Sequence, residues 1–194
     1  MNAIPKSDIP NRGKHYRYFK RHAAKLSPNT EWLCQMLSSW SVGLGALPDA
    51  LGLEPVAFAR MQKSFFHAPD INAVAPSGRR ADFSRMLERE DLIRYLLARA
   101  AYPEREETRW IASILVAGCL GEDHLWQDLG LWSRQELSGL IAYNFPLIAA
   151  ANQRDMKWKK FLYKQLCETE GVYVCRAPSC DVCVDYPRCF GSEE

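Results

Sequence analysis

The sequence lacks a long apolar run and a secretion-type leader. Its longest apolar stretch, Trp110–Leu120, is too short to cross a bilayer and contains Ser113. Residues Met1–Pro10 have neither an apolar core nor a cleavage-type site, so they do not resemble a signal peptide. These absences favour a cytoplasmic protein without a membrane partner.

A strong charge excess and the common catalytic motifs are absent as well. The formal net charge is +2, which is too small to indicate nucleic-acid binding by itself. There is no Gly-rich phosphate loop, no H-E-x-x-H motif and no nucleophile elbow. We therefore expect neither enzyme activity nor catalytic residues.

Strand-type alternation is scarce and occurs only at Val172–Val174. Apolar residues instead recur at helical spacing, with helix starts indicated at Asn29–Thr30, at Pro55 and at the capping box formed by Ser133 and Glu136. The pattern predicts an all-α fold, an irregular multi-helix bundle with a non-helical, cysteine-rich cluster-binding loop at the C-terminus. The predicted parts are a flexible basic tail (1–28), in which only a short helix near His15–Lys25 is indicated, a helical domain (29–171) and the cysteine-rich loop (172–194).

Most of the charged residues in the predicted tail are basic. Asp8 is the one acidic residue between Lys6 and Lys25, and the basic residues are Lys6, Arg12, Lys14, Arg17, Lys20, Arg21 and Lys25. A solvated tail is the favoured interpretation, and a docking site for an acidic partner or an anion is the alternative.

Four of the seven cysteines form a C-x4-C-x2-C-x5-C motif: Cys175, Cys180, Cys183 and Cys189. Thiols stay reduced in the cytoplasm, so a cluster of cysteines there indicates metal binding or catalysis rather than disulfides. Thiolates are soft donors that suit iron–sulfur clusters and zinc. The motif therefore predicts a metal site.

The spacing favours an iron–sulfur cluster over zinc. A structural zinc site usually has two short C-x2-C-type pairs set apart by a longer insert, whereas this motif has one such pair. Its C-x4-C-x2-C part also matches the first three ligands of plant-type ferredoxins. Zinc remains the serious alternative.

The other cysteines have different surroundings. Cys34 and Cys119 lie within helical apolar patterns and are predicted to be small core residues. Cys167 lies one turn before the loop. It is a candidate auxiliary ligand, although a buried structural thiol is the favoured interpretation.

The last predicted helix has two faces. Its core stripe comprises Trp158, Phe161, Leu162, Gln165 and Leu166. Lys157, Lys160 and Lys164 fall roughly opposite, where a solvated face is the favoured interpretation. An anion-attracting role is kept as a hypothesis because this helix directly precedes the cysteines.

The C-terminal third resembles the NifQ family, nitrogen-fixation proteins that supply molybdenum for nitrogenase cofactor assembly. The resemblance is sharp from about Asp123 to Gly191. It rests on HLWQDLGL (124–131), NFP (144–146), MKWKKF (156–161) and the cysteine motif followed by Phe190 and Gly191.

The resemblance implies a donor protein rather than an enzyme. Its cofactor would be an iron–sulfur cluster, taking up molybdenum into a Mo–Fe–S species and held by the four motif cysteines. Its partners would be the nitrogenase cofactor scaffold complex, the nitrogenase iron protein and molybdate or another molybdenum source. The alternatives are an iron–sulfur electron carrier and a zinc-stapled interaction module.

If molybdenum occupies one corner of the cluster, it would take additional nitrogen or oxygen ligands there. We hypothesise that His124, and secondarily Asp128, lies near it, because residues four apart share one face of a helix. The favoured alternative is that His124 caps or hydrogen-bonds core backbone and that Asp128 pairs with a base.

Overall fold

The computed structural model describes residues 9–67, 79, 80, 82, 83, 86 and 88–170. The regular elements within these residues are α-helices and one 3₁₀ turn, Asp49–Gly52, which confirms the all-α fold for this part of the chain. The helices are α1 Ile9–Arg21, α2 Pro28–Ser41, α3 Pro55–Phe65, α4 Arg89–Leu97, α5 Glu106–Gly118, α6 Leu125–Asp128, α7 Arg134–Asn144, α8 Pro146–Ala151 and α9 Trp158–Glu170. The predicted cysteine-rich loop (172–194) lies outside the described residues. No helix in the described ranges is long and apolar enough to cross a membrane.

The segment predicted to be a flexible tail contains a helix. α1 packs against α2, and its Phe19 is fully buried, with its ring centroid 5.7 Å from that of Phe66. The Tyr16 hydroxyl and the Lys20 ammonium both donate to the Glu31 carboxylate of α2, each at 2.7 Å. Since a helix of this length is only marginally stable alone in water, the packing of Phe19 explains why residues 9–21 are helical.

Helix α2 is central to the fold because it is buried on all sides. Ser27 caps it by accepting a hydrogen bond from Asn29 N at 3.3 Å, and Pro28 occupies its first turn. Every residue from Trp32 to Trp40 is buried. A helix that is buried all round belongs to the interior of a bundle.

A buried polar network joins α2, α5 and α7. Asn29 donates to Glu107 Oε1 at 2.6 Å, and the amides of Asn29 and Asn144 donate to one another. Lys25 forms an ion pair with Glu107, and Ser27 donates to the same carboxylate. Buried polar groups that are fully hydrogen-bonded fix one arrangement of the helices around them.

The chain turns between α8, which ends at Ala151, and α9, which begins at Trp158. The Asn152 side chain bonds both N and O of Met156, at 2.9 and 3.1 Å. Asp155 has a left-handed backbone (φ 51°), and Arg134 donates to its carbonyl and carboxylate at 2.8 and 2.6 Å. This corner determines where α9 begins.

Candidate metal centre

The four predicted cluster ligands, Cys175, Cys180, Cys183 and Cys189, lie outside the described residues, as does the side chain of Cys167. Their role as ligands therefore stays a prediction. The structure describes the helix that precedes them, α9, which ends at Glu170. The contacts that attach α9 to the rest of the bundle are described below, because α9 is the helix nearest the cysteines in sequence.

The apolar side of α9 is buried as predicted. Trp158, Phe161, Leu162 and Leu166 are all in the core, and Gln165 accepts a hydrogen bond from the Tyr95 hydroxyl of α4 at 3.3 Å. These contacts attach α9 to the bundle along most of its length.

A buried ion pair between Lys159 and Asp128 attaches the beginning of α9 to α6. The Lys159 side chain is 12% exposed and that of Asp128 is 4% exposed. The ammonium also donates to the backbone carbonyl of Gly121 at 2.7 Å. A buried charge requires such compensation, because removing it from water is costly.

Gly121 leaves the space that the Asp128 carboxylate occupies. A Cβ at this position would lie 2.2 Å from Asp128 Oδ1 and 2.7 Å from Ala46 Cβ. The carboxylate is tightly enclosed, and this burial raises the pKa of Asp128, while the ammonium of Lys159 opposes the shift.

Asp128 thus forms an ion pair with a base, Lys159, which is the favoured alternative to a role as metal ligand. To become a metal ligand it would have to leave Lys159 with an uncompensated charge. Ligation by Asp128 is therefore the weaker part of the hypothesis about a molybdenum corner.

The sequence pattern predicts that His124 and Asp128 share one face of a helix, but in the structure they do not. It precedes α6 as the N-cap residue with extended backbone (φ −63°, ψ 142°), and its backbone N–H donates to Gln127 Oε1 at 3.3 Å. Its side chain is exposed whereas that of Asp128 is buried. The difference arises because α6 begins only at Leu125, and a metal-binding role for His124 stays a prediction.

The lysines predicted to attract anions differ in their surroundings. Lys157 and Lys164 are exposed, and Lys160 is half-buried. Lys164 lies 3.9 Å from the Glu168 carboxylate, which offsets part of its charge. An anion-attracting role for these residues stays a prediction.

Lys159, the lysine of α9 with the most extensive buried contacts, was not among the residues that the sequence patterns indicated. A signal was available, since Lys159 is followed at positions i+3 and i+7 by Leu162 and Leu166, which place it on the buried side of α9. A lysine on an apolar stripe requires an acidic partner elsewhere in the chain.

Cys34 and Cys119 are fully buried, which confirms the prediction that they are core residues. Burial raises the pKa of each thiol to about 12, so neither is a thiolate at neutral pH. Among the residues that the structure describes, no three His, Cys, Asp or Glu side chains are grouped so that they could hold a metal ion.

Comparison with known proteins assigns the chain to a family. The family model described as NifQ matches residues 32–191, a range that includes every helix from α3 to α9 and all four motif cysteines. The chain belongs to the NifQ family. Membership of this family implies a role in nitrogen fixation.

Curated relatives agree over most of their length. The chain is 42% identical over 175 residues to the Protein NifQ of Azotobacter vinelandii, covering 85% of this chain and 89% of the relative. It is 37% identical over 164 residues to the Protein NifQ of Rhodobacter capsulatus, covering 83% and 87%. It is 32% identical over 165 residues to the Protein NifQ of Klebsiella pneumoniae, covering 84% and 99%. No solved structure matches the chain significantly.

Proposed function

We propose that this protein holds an iron–sulfur cluster on Cys175, Cys180, Cys183 and Cys189, takes up molybdenum, and donates it for assembly of the nitrogenase iron–molybdenum cofactor. The observation that carries the proposal is the four-cysteine motif inside the residues matched by the NifQ family. The chain acts as a carrier and not as a turnover enzyme. Molybdenum is its cargo.

The chemistry of the four side chains fits the proposed cluster. Thiolate sulfur is the donor that iron–sulfur clusters use, and four cysteines provide a complete ligand set. The two cysteines at 0% exposure in the helical domain, Cys34 and Cys119, do not compete for the metal because both are enclosed in the core.

The helical domain supports the proposal by giving the motif a fixed starting point. Lys159 and Asp128 hold one end of α9, and the contact between Tyr95 and Gln165 holds the other half. A metal site is more selective when the structure around it restricts its ligands. The partners of the carrier are the cofactor scaffold complex and the nitrogenase iron protein, and its metal source is molybdate or a related compound.

Metal analysis of anaerobically isolated protein tests the proposal. Iron, sulfide, molybdenum and zinc are quantified in the full chain and in a variant with Ser at all four motif positions. We expect iron, sulfide and molybdenum in the unchanged chain and their loss in the variant. A matched control replaces Cys34 and Cys119 by Ala and should retain all three.

The alternatives give different metal contents. Iron and sulfide without molybdenum, even after incubation with molybdate, indicate an electron carrier. A colourless protein containing zinc indicates a zinc-stapled interaction module. Either result would overturn the proposal.

The same measurement addresses the predicted additional ligand. Replacing His124 by Ala should lower the ratio of molybdenum to iron while leaving iron unchanged. An unaltered ratio would remove His124 from the site.

A further inference from the structure

The outer side of α1 is a basic ridge. Lys14, Arg17 and Arg21 are all exposed and follow one another at i, i+3 and i+7, so they share one face of the helix. They extend over about 10 Å of the helix axis at about 1.5 Å per residue. We call these three residues the α1 ridge.

The charge of the ridge is not compensated within the described part of the chain. The helix Ile9–Arg21 itself contains no acidic residue. The nearest carboxylate on α2, that of Glu31, is already bonded by Lys20 and Tyr16. In the described residues, no ion pair involves Lys14, Arg17 or Arg21.

The ridge is rigidly presented, unlike a charged tail. Phe19 on the opposite side of α1 is fully buried. Arg12 stacks over the Trp132 ring at 5.2 Å, and Tyr16 contacts the same ring at 4.7 Å. A partner therefore meets charges that are already positioned, which reduces the entropy lost on binding.

The packing and charge together favour a protein partner. A membrane-binding helix inserts its apolar face into lipid, but the apolar face of α1 is occupied by α2. Nucleic-acid sites commonly neutralise many phosphates, whereas this ridge has three charges on a chain of net charge +2. Carboxylates on a protein surface match the guanidinium groups of Arg17 and Arg21 geometrically.

We propose that the α1 ridge is a docking face for an acidic surface on the protein that receives the molybdenum. This inference rests on the proposed donor function and adds where the recipient binds. Charge complementarity at such a face mainly accelerates association and selects the partner.

Binding of the full-length chain to the purified nitrogenase iron protein and cofactor scaffold complex tests the proposal. The variant Lys14→Glu/Arg17→Glu is compared with Lys63→Glu/Arg109→Glu, which makes the same change in net charge at exposed positions on α3 and α5. Association rates are measured by biolayer interferometry at about 0.01 M and about 0.15 M ionic strength, where the Debye length is about 30 and about 8 Å.

We expect the α1 variant to associate about tenfold more slowly than the unchanged chain with one of the two proteins at low ionic strength. The difference should shrink at the higher ionic strength, and the control variant should stay within about twofold. Equal slowing by both variants, no slowing by either, or no binding of the unchanged chain would each overturn the proposal. A ridge-dependent interaction with duplex DNA or anionic vesicles, and not with the proteins, would also overturn it.

Metal content separates this inference from the proposed function. The α1 variant should contain as much iron and molybdenum as the unchanged chain, because α1 lies on the outside of α2 and holds no motif cysteine. Loss of metal from the α1 variant would contradict a pure docking role. An unchanged chain without molybdenum would contradict the donor function, whatever the binding result.

Discussion

Replacing Lys159 by Met should destabilise the protein strongly. The substitution keeps most of the side-chain volume but removes the ammonium from the Asp128 carboxylate, which is 4% exposed in its side chain. It also removes the hydrogen bond to the Gly121 carbonyl. Removing one partner of a buried ion pair lowers the free energy of unfolding by about 3 to 5 kcal/mol, because the other charge stays buried without a counter-charge.

The change in melting temperature follows from the size of the chain. For a protein of 150–250 residues, each kcal/mol corresponds to about 2–4 °C, so a loss of about 3 kcal/mol lowers Tm by roughly 6–12 °C. Chemical denaturation gives the free energy of unfolding, and thermal denaturation followed by circular dichroism gives Tm.

The variant Lys164→Met is a matched control on the same helix. Lys164 and Glu168 are 50% and 54% exposed, and an exposed pair contributes at most about 1 kcal/mol. If Lys159→Met destabilises the chain by no more than Lys164→Met does, the buried pair does not hold α9 and the argument fails.

The pH dependence provides a second check on the same variant. Burial raises the pKa of Asp128, with Lys159 opposing the shift, so removing Lys159 should raise it further. An acid whose folded-state pKa is raised binds its proton more readily when folded, so stability falls as the pH rises through that pKa. The destabilisation by Lys159→Met should therefore be larger at pH 7.5 than at pH 5, and Asp128→Asn in the same chain should reduce this dependence.

Three further predictions concern the packed core. Gly121→Ala should destabilise the chain by about 1–3 kcal/mol in denaturant titrations, because its Cβ would lie 2.2 Å from Asp128 Oδ1; a change below about 0.5 kcal/mol would contradict the close packing. Cys34 and Cys119 should stay unlabelled when the native chain is treated with iodoacetamide at pH 8 and analysed by mass spectrometry, since the pKa of each thiol is raised to about 12. Burial opposes ionisation of the Glu107 carboxylate, but hydrogen bonds from three side chains hold its pKa below the ordinary 4.5. The ionised carboxylate therefore stabilises the fold above pH 4.5, and this stabilisation is lost as the pH falls through the lowered pKa. Glu107→Gln should make the free energy of unfolding less dependent on pH in the acid range, and an unchanged dependence would exclude this role.

The local signals in the sequence predicted most of the helical framework. Pro55 begins α3, and Ser133 caps α7 by accepting from Glu136 N at 3.2 Å, as the capping motif indicated. Only half of the capping box forms, because the Glu136 carboxylate accepts instead from Trp32 Nε1 at 2.8 Å. That partner is distant in sequence, so no local pattern could reveal the competition.

The features that sequence patterns did not predict depend on long-range contacts. The sequence indicated only a short helix near His15–Lys25 within a basic tail, whereas α1 runs from Ile9 to Arg21 and buries Phe19 next to Phe66. The partner of Lys159 is on a different helix and close only in the folded chain. For the candidate site, the motif spacing predicts cysteine ligands, and family membership supplies the biological process.

The corner before α9 has a consequence for the side of the bundle toward which each residue of α9 points. Because Arg134 and Asn152 fix the residues at which α9 begins, the helix has a defined rotational phase from its first turn. Each residue of an α-helix advances the chain by about 100° of rotation and about 1.5 Å of rise. Inserting a single residue after Leu166 would turn the last residues of α9 by about 100° around the helix axis, whereas an insertion upstream of the corner would leave the rotational phase of α9 unaltered.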